Sequence, residues 1–232
     1  MLCAAVLAGG IGERLDLGMP KQFFNIAGKP LLIHCVEKFI EVDELDLIIV
    51  SSPKDFIDKT NSLIKNYTND DRITVIEGGS TRNDTILNSI NFAIESGAGN
   101  DSILVTHDGA RIFVSPNLIR ESIKYAQEYG AASPVIPATD VIFLSKNKGE
   151  LSKVPERRYL VHAQTPQAFN IKKFLDIYDD LSSDEIKLLD EAMVLFHLRN
   201  ESVYLFDGES INFKITNPVD LKVAEAFLYN IL

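Results

Sequence analysis

Four short apolar runs without polar–apolar alternation recur along this chain, and helical patterns lie between them. Strands that are covered on both faces have this continuous apolar character, whereas strands with one wet face alternate. The stripe of Ile86, Ile90 and Ile94, four residues apart, is typical of an amphipathic helix. The repeated order of strand and helix predicts an α/β fold built on a doubly wound, mostly parallel sheet. The predicted strands are Leu2–Leu7 and residues 45–50, 72–76 and 102–106.

Signals for helix ends support this arrangement. Ser115 followed by Pro116 predicts a capped helix start with proline at the first helical position, and Gly130 is placed to end that helix. Asn217 and Pro218 repeat the same signal near the end of the chain and predict a last helix there.

Residues 138–162 break the alternation of strands and helices. Two β segments flank the polar turn 145–150 and predict a protruding β-arm. Because an isolated hairpin is unstable in water, we expect the arm to pack on a partner. Two later strands are predicted at 203–206 and 211–215. A length of 232 residues suits one α/β domain, so we predict a single domain over 1–232 that includes the arm.

Charge, cysteine usage and hydropathy restrict the class of protein. The net charge of −10, without a basic tract, argues against general nucleic-acid binding. Cys3 and Cys35 lack the spacing of a metal site and are expected to be buried thiols. No basic residue precedes Arg14, unlike in a secretory signal, and no apolar run approaches the roughly 18 residues of a membrane span. We therefore expect a cytoplasmic protein with neither a nucleic-acid nor a membrane partner.

A glycine-rich turn follows the first predicted strand directly. Gly9, Gly10 and Gly12 allow backbone N–H groups to approach an anion without hindrance from a Cβ atom. Arg14 and Lys21 follow within reach of the same turn. These features predict a phosphate site of the nucleotidyl-transfer type. The alternative, a tight turn without a ligand, would leave both cations unexplained.

Two other phosphate motifs do not fit this turn. The dinucleotide fingerprint requires a third glycine where Leu15 stands, and an acidic residue after the next strand, where a Ser-Ser-Pro sequence occupies residues 51–53. The Walker motif requires Gly-Lys followed by Ser or Thr, but the Gly-Lys pairs here are followed by Pro30 and Glu150. An NAD-linked oxidoreductase is therefore disfavoured.

Residues 78–85 form a second cluster after a predicted strand, where open α/β sheets bind ligands. A glycine pair, Arg82 and a helix start together favour an anion site. The simpler alternative is that Ser80 only caps the helix.

Two further clusters contain Asp108 and Lys214. Asp108 at a strand end suits Mg²⁺ beside a triphosphate, because Mg²⁺ takes one or two carboxylates plus phosphate oxygens. Its alternative role is a structural ion pair with Arg111. Lys214 on the predicted strand 211–215 is either a site cation or a solvated edge residue. We expect His107 to have a structural role.

These four clusters, in this order, resemble the cytidylyltransferases that act on polyol phosphates. That family includes 2-C-methyl-D-erythritol 4-phosphate cytidylyltransferase and ribitol-5-phosphate cytidylyltransferase, and the resemblance extends over essentially the whole chain. It implies a Rossmann-like nucleotidyltransferase fold and a reaction between CTP and a small polyol phosphate, with Mg²⁺ as cofactor. The shared motifs are Leu7-Ala8-Gly9-Gly10-x-Gly12-x-Arg14, Pro20-Lys21-Gln22, Gly78-Gly79-x-x-Arg82, His107-Asp108-x-Ala110-Arg111, Thr165-Pro166-Gln167 and Lys214-Ile215-Thr216.

The resemblance also implies a role for each matching residue. Asp108 matches the metal-linked aspartate of the family. In that family the arm, here 138–162, is exchanged between two subunits, which implies a homodimer in which Arg157 reaches the neighbouring active site. The implied catalytic residues are Arg14, Lys21 and Lys214. The implied nucleotide-binding residues are Leu7, Ala8, Gly9, Gly10, Gly12, Gly79, Arg82 and Thr85. The implied substrate-binding residues are Asp108, Arg111, Val141, Arg157 and Lys214.

The sequence departs from the family pattern on the acceptor side. Val141 and Leu189 each stand where the family usually has threonine. Both changes lie on the acceptor side, and the motifs on the CTP side match the family pattern. Ribitol 5-phosphate is the expected acceptor, and such a product would suggest teichoic-acid or capsule building. The alternatives are 2-C-methyl-D-erythritol 4-phosphate as acceptor and, less favoured, a nucleotide-binding module without catalysis. The stretches that look closer to the ribitol-5-phosphate enzymes are residues 19–23, 50–54, 75–80 and 164–169.

Overall fold

The computed structural model describes residues 1–10, 19–182, 185 and 192–229. In this part of the chain the strands are β1 (Leu2–Leu7), β2 (Asn25–Ile26), β3 (Lys29–Pro30), β4 (Leu47–Ser52), β5 (Ile73–Glu77), β6 (Ile103–Asp108), β7 (Ala131–Pro137), β8 (Val161–Ala163), β9 (Gln167–Asn170) and β10 (Tyr204–Asp207). The helices are α1 (Leu31–Ile40), α2 (Ile57–Lys65), α3 (Arg82–Glu95), α4 (Pro116–Tyr129), α5 (Ile171–Asp179), α6 (Ala192–Leu198) and α7 (Pro218–Leu228).

A central sheet of eight strands organises these elements. Its order is β10-β7-β9-β6-β1-β4-β5, and β8 pairs with β7. The neighbours β6, β1, β4 and β5 are parallel to one another, whereas β8 and β9 run antiparallel to their partners. The carboxyl ends of β1, β4, β5 and β6 therefore meet at one edge of the sheet, where such sheets bind ligands.

Helices cover both faces of the sheet, which explains the continuous apolar runs. Ala4 and Val6 of β1 pack toward α1, α2, α4 and α7. Cys3 and Ala5, the alternate residues, pack toward α3, α5 and α6. Both faces of β1 therefore require apolar side chains. The predicted doubly wound, mostly parallel α/β fold is confirmed.

Most predicted element ends lie within a few residues of the observed ones. The Ser115 hydroxyl accepts a hydrogen bond from the Leu118 N–H at 3.0 Å, and Gly130 ends α4 with a φ of 90°. At the start of α7 the Asp220 carboxylate accepts from the Asn217 N–H at 2.7 Å. The predicted caps are confirmed because they depend on contacts within a few residues.

The arm differs from the predicted hairpin. Within residues 138–162, which are all described, the two halves share one isolated bridge between Leu144 and Lys153. Its last residues instead join the main sheet, because β8 pairs with β7. Val141 and Phe143 are 61% and 63% exposed, so the arm presents apolar side chains to solvent.

The predicted strand at 211–215 is wrong. This segment is irregular, and its backbone makes single hydrogen bonds, such as Ile215 N–H to the Ala110 carbonyl at 2.9 Å, in place of a ladder. Cys3 and Cys35 are buried free thiols, as expected, and burial raises the pKa of Cys3 to about 11. Among the described helices, none combines the length and the apolar character needed to cross a bilayer. The single-domain division over 1–232 stays a prediction.

Candidate active site

A cavity of about 500 Å³ opens at the carboxyl edge of the sheet. The loops after β1 and β5, the end of β6 and two lysines from distant segments surround it. Most of the residues singled out in the sequence therefore meet in one place. The sequence-predicted residues that line it are Leu7, Ala8, Gly9, Gly10, Lys21, Gly79, Arg82, Thr85, Asp108 and Lys214. The predicted site residues Gly12 and Arg14, and the departure at Leu189, lie outside the described residues.

The loop after β1 is held by side chains from two other segments. The Ala8 N–H donates to the Ser51 hydroxyl at 3.0 Å, and Gln22 Nε2 donates to the Ala8 carbonyl at 2.9 Å. Gly9 meets the loop after β5, because a Cβ on Gly78 would lie 3.1 Å from its Cα. A side chain at Gly78 would therefore require the two loops to move apart by a few tenths of an ångström.

The loop after β5 ends in a capping box. Thr81 caps α3, since its hydroxyl accepts from the Asp84 N–H while the Asp84 carboxylate accepts from the Thr81 N–H. The cap is therefore Thr81, and Ser80 instead donates its hydroxyl to Asp84. Thr85 Oγ1 accepts from the Gly79 N–H at 2.9 Å and fixes the glycine pair against the helix start.

Asp108 lies at the centre of a cluster of cations. Lys214 Nζ is 2.9 Å from its Oδ2 atom, and Arg111 Nε is 3.4 Å from the same oxygen. Arg82 Nε is 3.8 Å from Oδ1. Burial raises the pKa of the Asp108 carboxyl, but the charges of Lys214 and Arg82 outweigh burial and hold the pKa below its usual range. The cluster contains three positive charges and one negative charge, and it favours an anionic ligand.

His107 is wholly buried beneath this cluster. Its Nε2 lies 2.9 Å from the Arg111 carbonyl, and its Nδ1 lies 2.9 Å from the Thr165 hydroxyl. Burial lowers the pKa of His107 to about 4, so the ring is neutral near pH 7. Because a carbonyl only accepts, Nε2 must carry the proton and Nδ1 must accept from Thr165. His107 is positioned for structure, as expected, and not for proton transfer.

The donor set at this edge fits a Mg²⁺ ion that is held mainly by a ligand. Among the described residues no group of three or more His, Cys, Asp or Glu side chains could hold a metal ion. Asp108 is the single carboxylate among the described residues that line the cavity. One carboxylate plus phosphate oxygens is a typical Mg²⁺ environment beside a nucleotide.

Three predicted acceptor-side residues do not line the cavity. Arg111 is adjacent to it, bound to Asp108 and, through Nη1, to the Asn212 carbonyl at 2.8 Å. Val141 and Arg157 belong to the arm, and Arg157 donates to the Thr139 carbonyl of its own arm at 3.0 Å. Within this single chain these two residues are therefore not brought to the site.

Several residues that build the site were not among those predicted from the sequence. Gln22 and Thr81 line the cavity, and Thr165 and Asn212 lie beneath it. Gln22 follows Lys21 directly and Thr165 precedes Pro166, and both belong to motifs shared with the family. Their place in these motifs was a signal that could have identified them as site residues. Asn212 has no local signal, because its partners are far away in sequence.

Comparisons with known proteins agree with this geometry. Residues 2–230 match the family model for IspD, 2-C-methyl-D-erythritol 4-phosphate cytidylyltransferase. The chain is similar to the 2-C-methyl-D-erythritol 4-phosphate cytidylyltransferase of Thermus thermophilus, with 26% identity, a TM-score of 0.73, and 99% and 100% of the two chains covered. It is also similar to the enzyme of the same name from Francisella tularensis, with 26% identity, a TM-score of 0.79, and 96% and 97% of the two chains covered. The 4-diphosphocytidyl-2C-methyl-D-erythritol synthase of Anaerococcus prevotii shares the fold, with 24% identity, a TM-score of 0.81, and 99% and 96% covered.

Proposed function

This chain belongs to the 2-C-methyl-D-erythritol 4-phosphate cytidylyltransferase family, and on that premise we propose that it joins CTP and 2-C-methyl-D-erythritol 4-phosphate with release of pyrophosphate. The chain is a nucleotidyltransferase of the cytidylyltransferase type. The observation that supports the proposal most is the cation cluster on Asp108 in a glycine-lined cavity.

The proposed reaction needs no protein nucleophile. An oxygen of the acceptor phosphate attacks the α-phosphorus of CTP, and a new oxygen–phosphorus bond forms. The bond from the α-phosphorus to the bridging oxygen breaks, and its electron pair leaves with pyrophosphate. Because the acceptor phosphate is already ionised, no proton has to be removed. A neutral, fully engaged His107 is compatible with this chemistry.

The difficulty of this reaction is electrostatic, because two polyanions must meet. Lys21 and Lys214 line the cavity and can stabilise charge that develops at the α-phosphate and its leaving group. A preorganised donor of this kind contributes about 3–4 kcal/mol to transition-state stabilisation. Holding the two substrates in line can contribute roughly 7–11 kcal/mol more.

Mg²⁺ is part of the proposal as cofactor. Asp108 would hold it together with phosphate oxygens of CTP, and the ion would supply further charge neutralisation there. We expect Asp108→Asn to raise the Mg²⁺ concentration that gives half-maximal rate, because a neutral amide is a weaker ligand. Rates measured over a Mg²⁺ series check this expectation. Full activity of the wild-type protein in EDTA would contradict it and leave Asp108 with its ion pairs alone.

Ribitol 5-phosphate is a second candidate acceptor. The stretches 19–23 and 164–169 look closer to ribitol-5-phosphate enzymes, and Val141 replaces the threonine that is usual beside the acceptor. Against this, the family model and the solved relatives are named for the methylerythritol phosphate. A few acceptor-side groups decide between two polyols that present the same phosphate.

A panel assay tests both proposals. Pyrophosphate release is measured with Mg²⁺ and CTP plus 2-C-methyl-D-erythritol 4-phosphate, ribitol 5-phosphate, arabinitol 5-phosphate or glycerol 3-phosphate. We expect the highest kcat/KM with the first of these. A higher kcat/KM with ribitol 5-phosphate would transfer the assignment to that acceptor. CTP binding without turnover on any acceptor would indicate a nucleotide-binding module.

A further inference from the structure

Lys214 lies on an irregular segment, so something other than a strand ladder must fix its position. Within residues 208–217 the main chain turns back on itself through the Asn212 N–H to Glu209 carbonyl bond. The Ile215 N–H donates to the Ala110 carbonyl on the far side of Lys214. An ammonium group on a flexible stem is useful in catalysis only if its backbone is held in place.

Asn212 supplies a second attachment, two residues before Lys214. Its side chain is completely buried, and Nδ2 donates to the Thr165 carbonyl at 2.7 Å. The Thr165 hydroxyl in turn accepts from the Asp108 N–H at 3.1 Å and donates to His107. One amide therefore connects the Lys214 segment to the backbone of the carboxylate that Lys214 contacts.

The main chain of Asn212 closes the connection from the other side. Its carbonyl accepts from Arg111 Nη1 at 2.8 Å, while the Arg111 carbonyl accepts from His107. Asn212 therefore joins Thr165 and Arg111, each of which contacts Asp108. Its Oδ1 atom, in contrast, is buried without a hydrogen-bond partner among the described residues. An unsatisfied buried carbonyl oxygen costs stability, which offsets part of what the Nδ2 bond contributes to it.

We propose that Asn212 is a positioning residue for the proposed cytidylyl transfer: its side-chain amide holds the 212–215 segment against Thr165 and thereby places Lys214 beside Asp108. The inference rests on the proposed function for its kinetic consequences but not for its structural ones. Removing the amide should release the segment without removing any group that contacts a substrate.

The experiment compares Asn212→Ala with wild type in three measurements. We expect turnover at saturating substrates to fall about a hundredfold, as a misplacement of about 1 Å can cause. The Kd for CTP should stay within about threefold, since the amide supplies no ligand contact. Hydrogen exchange of the peptide amides at 211–216, including Ile215, should become at least about tenfold faster because the segment opens locally.

A double variant separates positioning from general damage. If Asn212 acts through Lys214, Asn212→Ala should cost little further activity in a Lys214→Ala background. Multiplied losses in the double variant, or unchanged exchange at 211–216 in the single variant, would overturn the proposal. If wild type turns over no polyol phosphate, the proposed function fails while the exchange measurement still decides the attachment.

Asn170→Ala is the matched control. Its Nδ2 also donates to a backbone carbonyl, that of Asn100 at 2.8 Å, outside the residues that line the site. We expect it to leave turnover and the exchange at 211–216 unchanged. Should Asn212→Ala fail to fold, Asn212→Ser provides the same test with a smaller polar side chain.

Discussion

Asp108 neutralises part of a cation cluster that faces an open cavity. Its carboxylate contacts Lys214, Arg111 and Arg82, and the remaining positive charge is available to a polyanion. Lys214 is about 38% exposed on its side chain, so solvent or a ligand can reach it. The same carboxylate lies among the three cations and offsets part of their mutual repulsion before a substrate binds.

Lys21 provides a test at a single residue. Lys21→Ala should lower kcat by at least about a hundredfold, because a positioned charge acts mainly on the transition state. The KM for CTP should change much less. Steady-state rates over a CTP series measure both values. Similar, modest changes in kcat and KM would mean that Lys21 contributes to binding alone.

Lys59→Ala is the control for the loss of one positive charge nearby. Lys59 Nζ lies 4.4 Å from the centre of the Phe23 ring and does not line the cavity. The variant should keep kcat within about twofold of wild type, because surface substitutions have small effects. A loss equal to that of Lys21→Ala would show a general charge effect in place of a local one.

The start of α3 shows how an element depends on one backbone position. A Cβ on Gly79 would lie 2.2 Å from the Asp84 Cβ and 2.5 Å from its carbonyl carbon. The capping box of Thr81 and Asp84 therefore requires glycine at this place. The loop after β5 and the start of α3 form one wall of the cavity.

Gly79→Ala should therefore damage both stability and nucleotide binding. We expect a loss of about 1–3 kcal/mol in the free energy of unfolding, as overpacking usually causes. The corresponding fall in Tm is roughly 2–4 °C per kcal/mol for a chain of this size. Thermal unfolding and CTP titration measure the two effects. Gly99→Ala is the control, since nothing lies within 4 Å of the added Cβ.

Buried His107 makes the stability of the whole molecule depend on pH. Its folded pKa is lowered from 6.5 to about 4, so between these values the unfolded chain binds the proton and the folded chain does not. The free energy of unfolding is therefore unaffected by His107 protonation above about pH 6.5, and it falls as the pH decreases toward 4. The loss amounts to about 3 kcal/mol at most.

Urea unfolding at several pH values checks this prediction. The free energy of unfolding should fall between about pH 6.5 and 4.5, and His107→Gln should show a shallower fall from a lower starting value. Burial also lowers the pKa of His34, so His34 adds a fall of the same sign to the curves of both wild type and His107→Gln. Parallel curves for wild type and His107→Gln would contradict the assignment to His107.

The exposed arm is the basis of a proposal about assembly. Phe143, Leu151 and Tyr159 are more than half exposed, which is unusual for apolar side chains on one protrusion. We propose that the arm, residues 138–162, pairs two copies of the chain and brings Arg157 to the neighbouring site.

Mixing two inactive variants tests this arrangement. Lys21→Ala and Arg157→Ala homodimers should each be weak, whereas heterodimers should regain roughly half of the wild-type activity per dimer. One site then carries both substitutions and the other carries neither. No recovery despite subunit exchange would assign Arg157 to its own subunit, and a monomer in solution would contradict the shared site.

Features that depend on neighbouring residues were predictable from the sequence. Continuous apolar runs identified the four parallel strands around the site, and the Ser115-Pro116 signal identified the start of α4. The glycine turn after β1 and the clusters at the strand ends followed from the same reasoning. Each of these features depends on hydrophobic periodicity or on capping between residues that are close in the sequence. Such local patterns can be read from the sequence itself.

Features that join distant segments required the folded chain. The Asn212 amide reaches Thr165 across 47 positions, and Arg111 reaches the Asn212 carbonyl across 101. With these bonds present, 211–215 is an irregular segment where its composition predicts a strand, and Lys214 lies beside Asp108. Side-chain hydrogen bonds and ion pairs of this kind depend on where helices and strands pack. Local preference carries no information about them, because the partners become neighbours only after the sheet has formed.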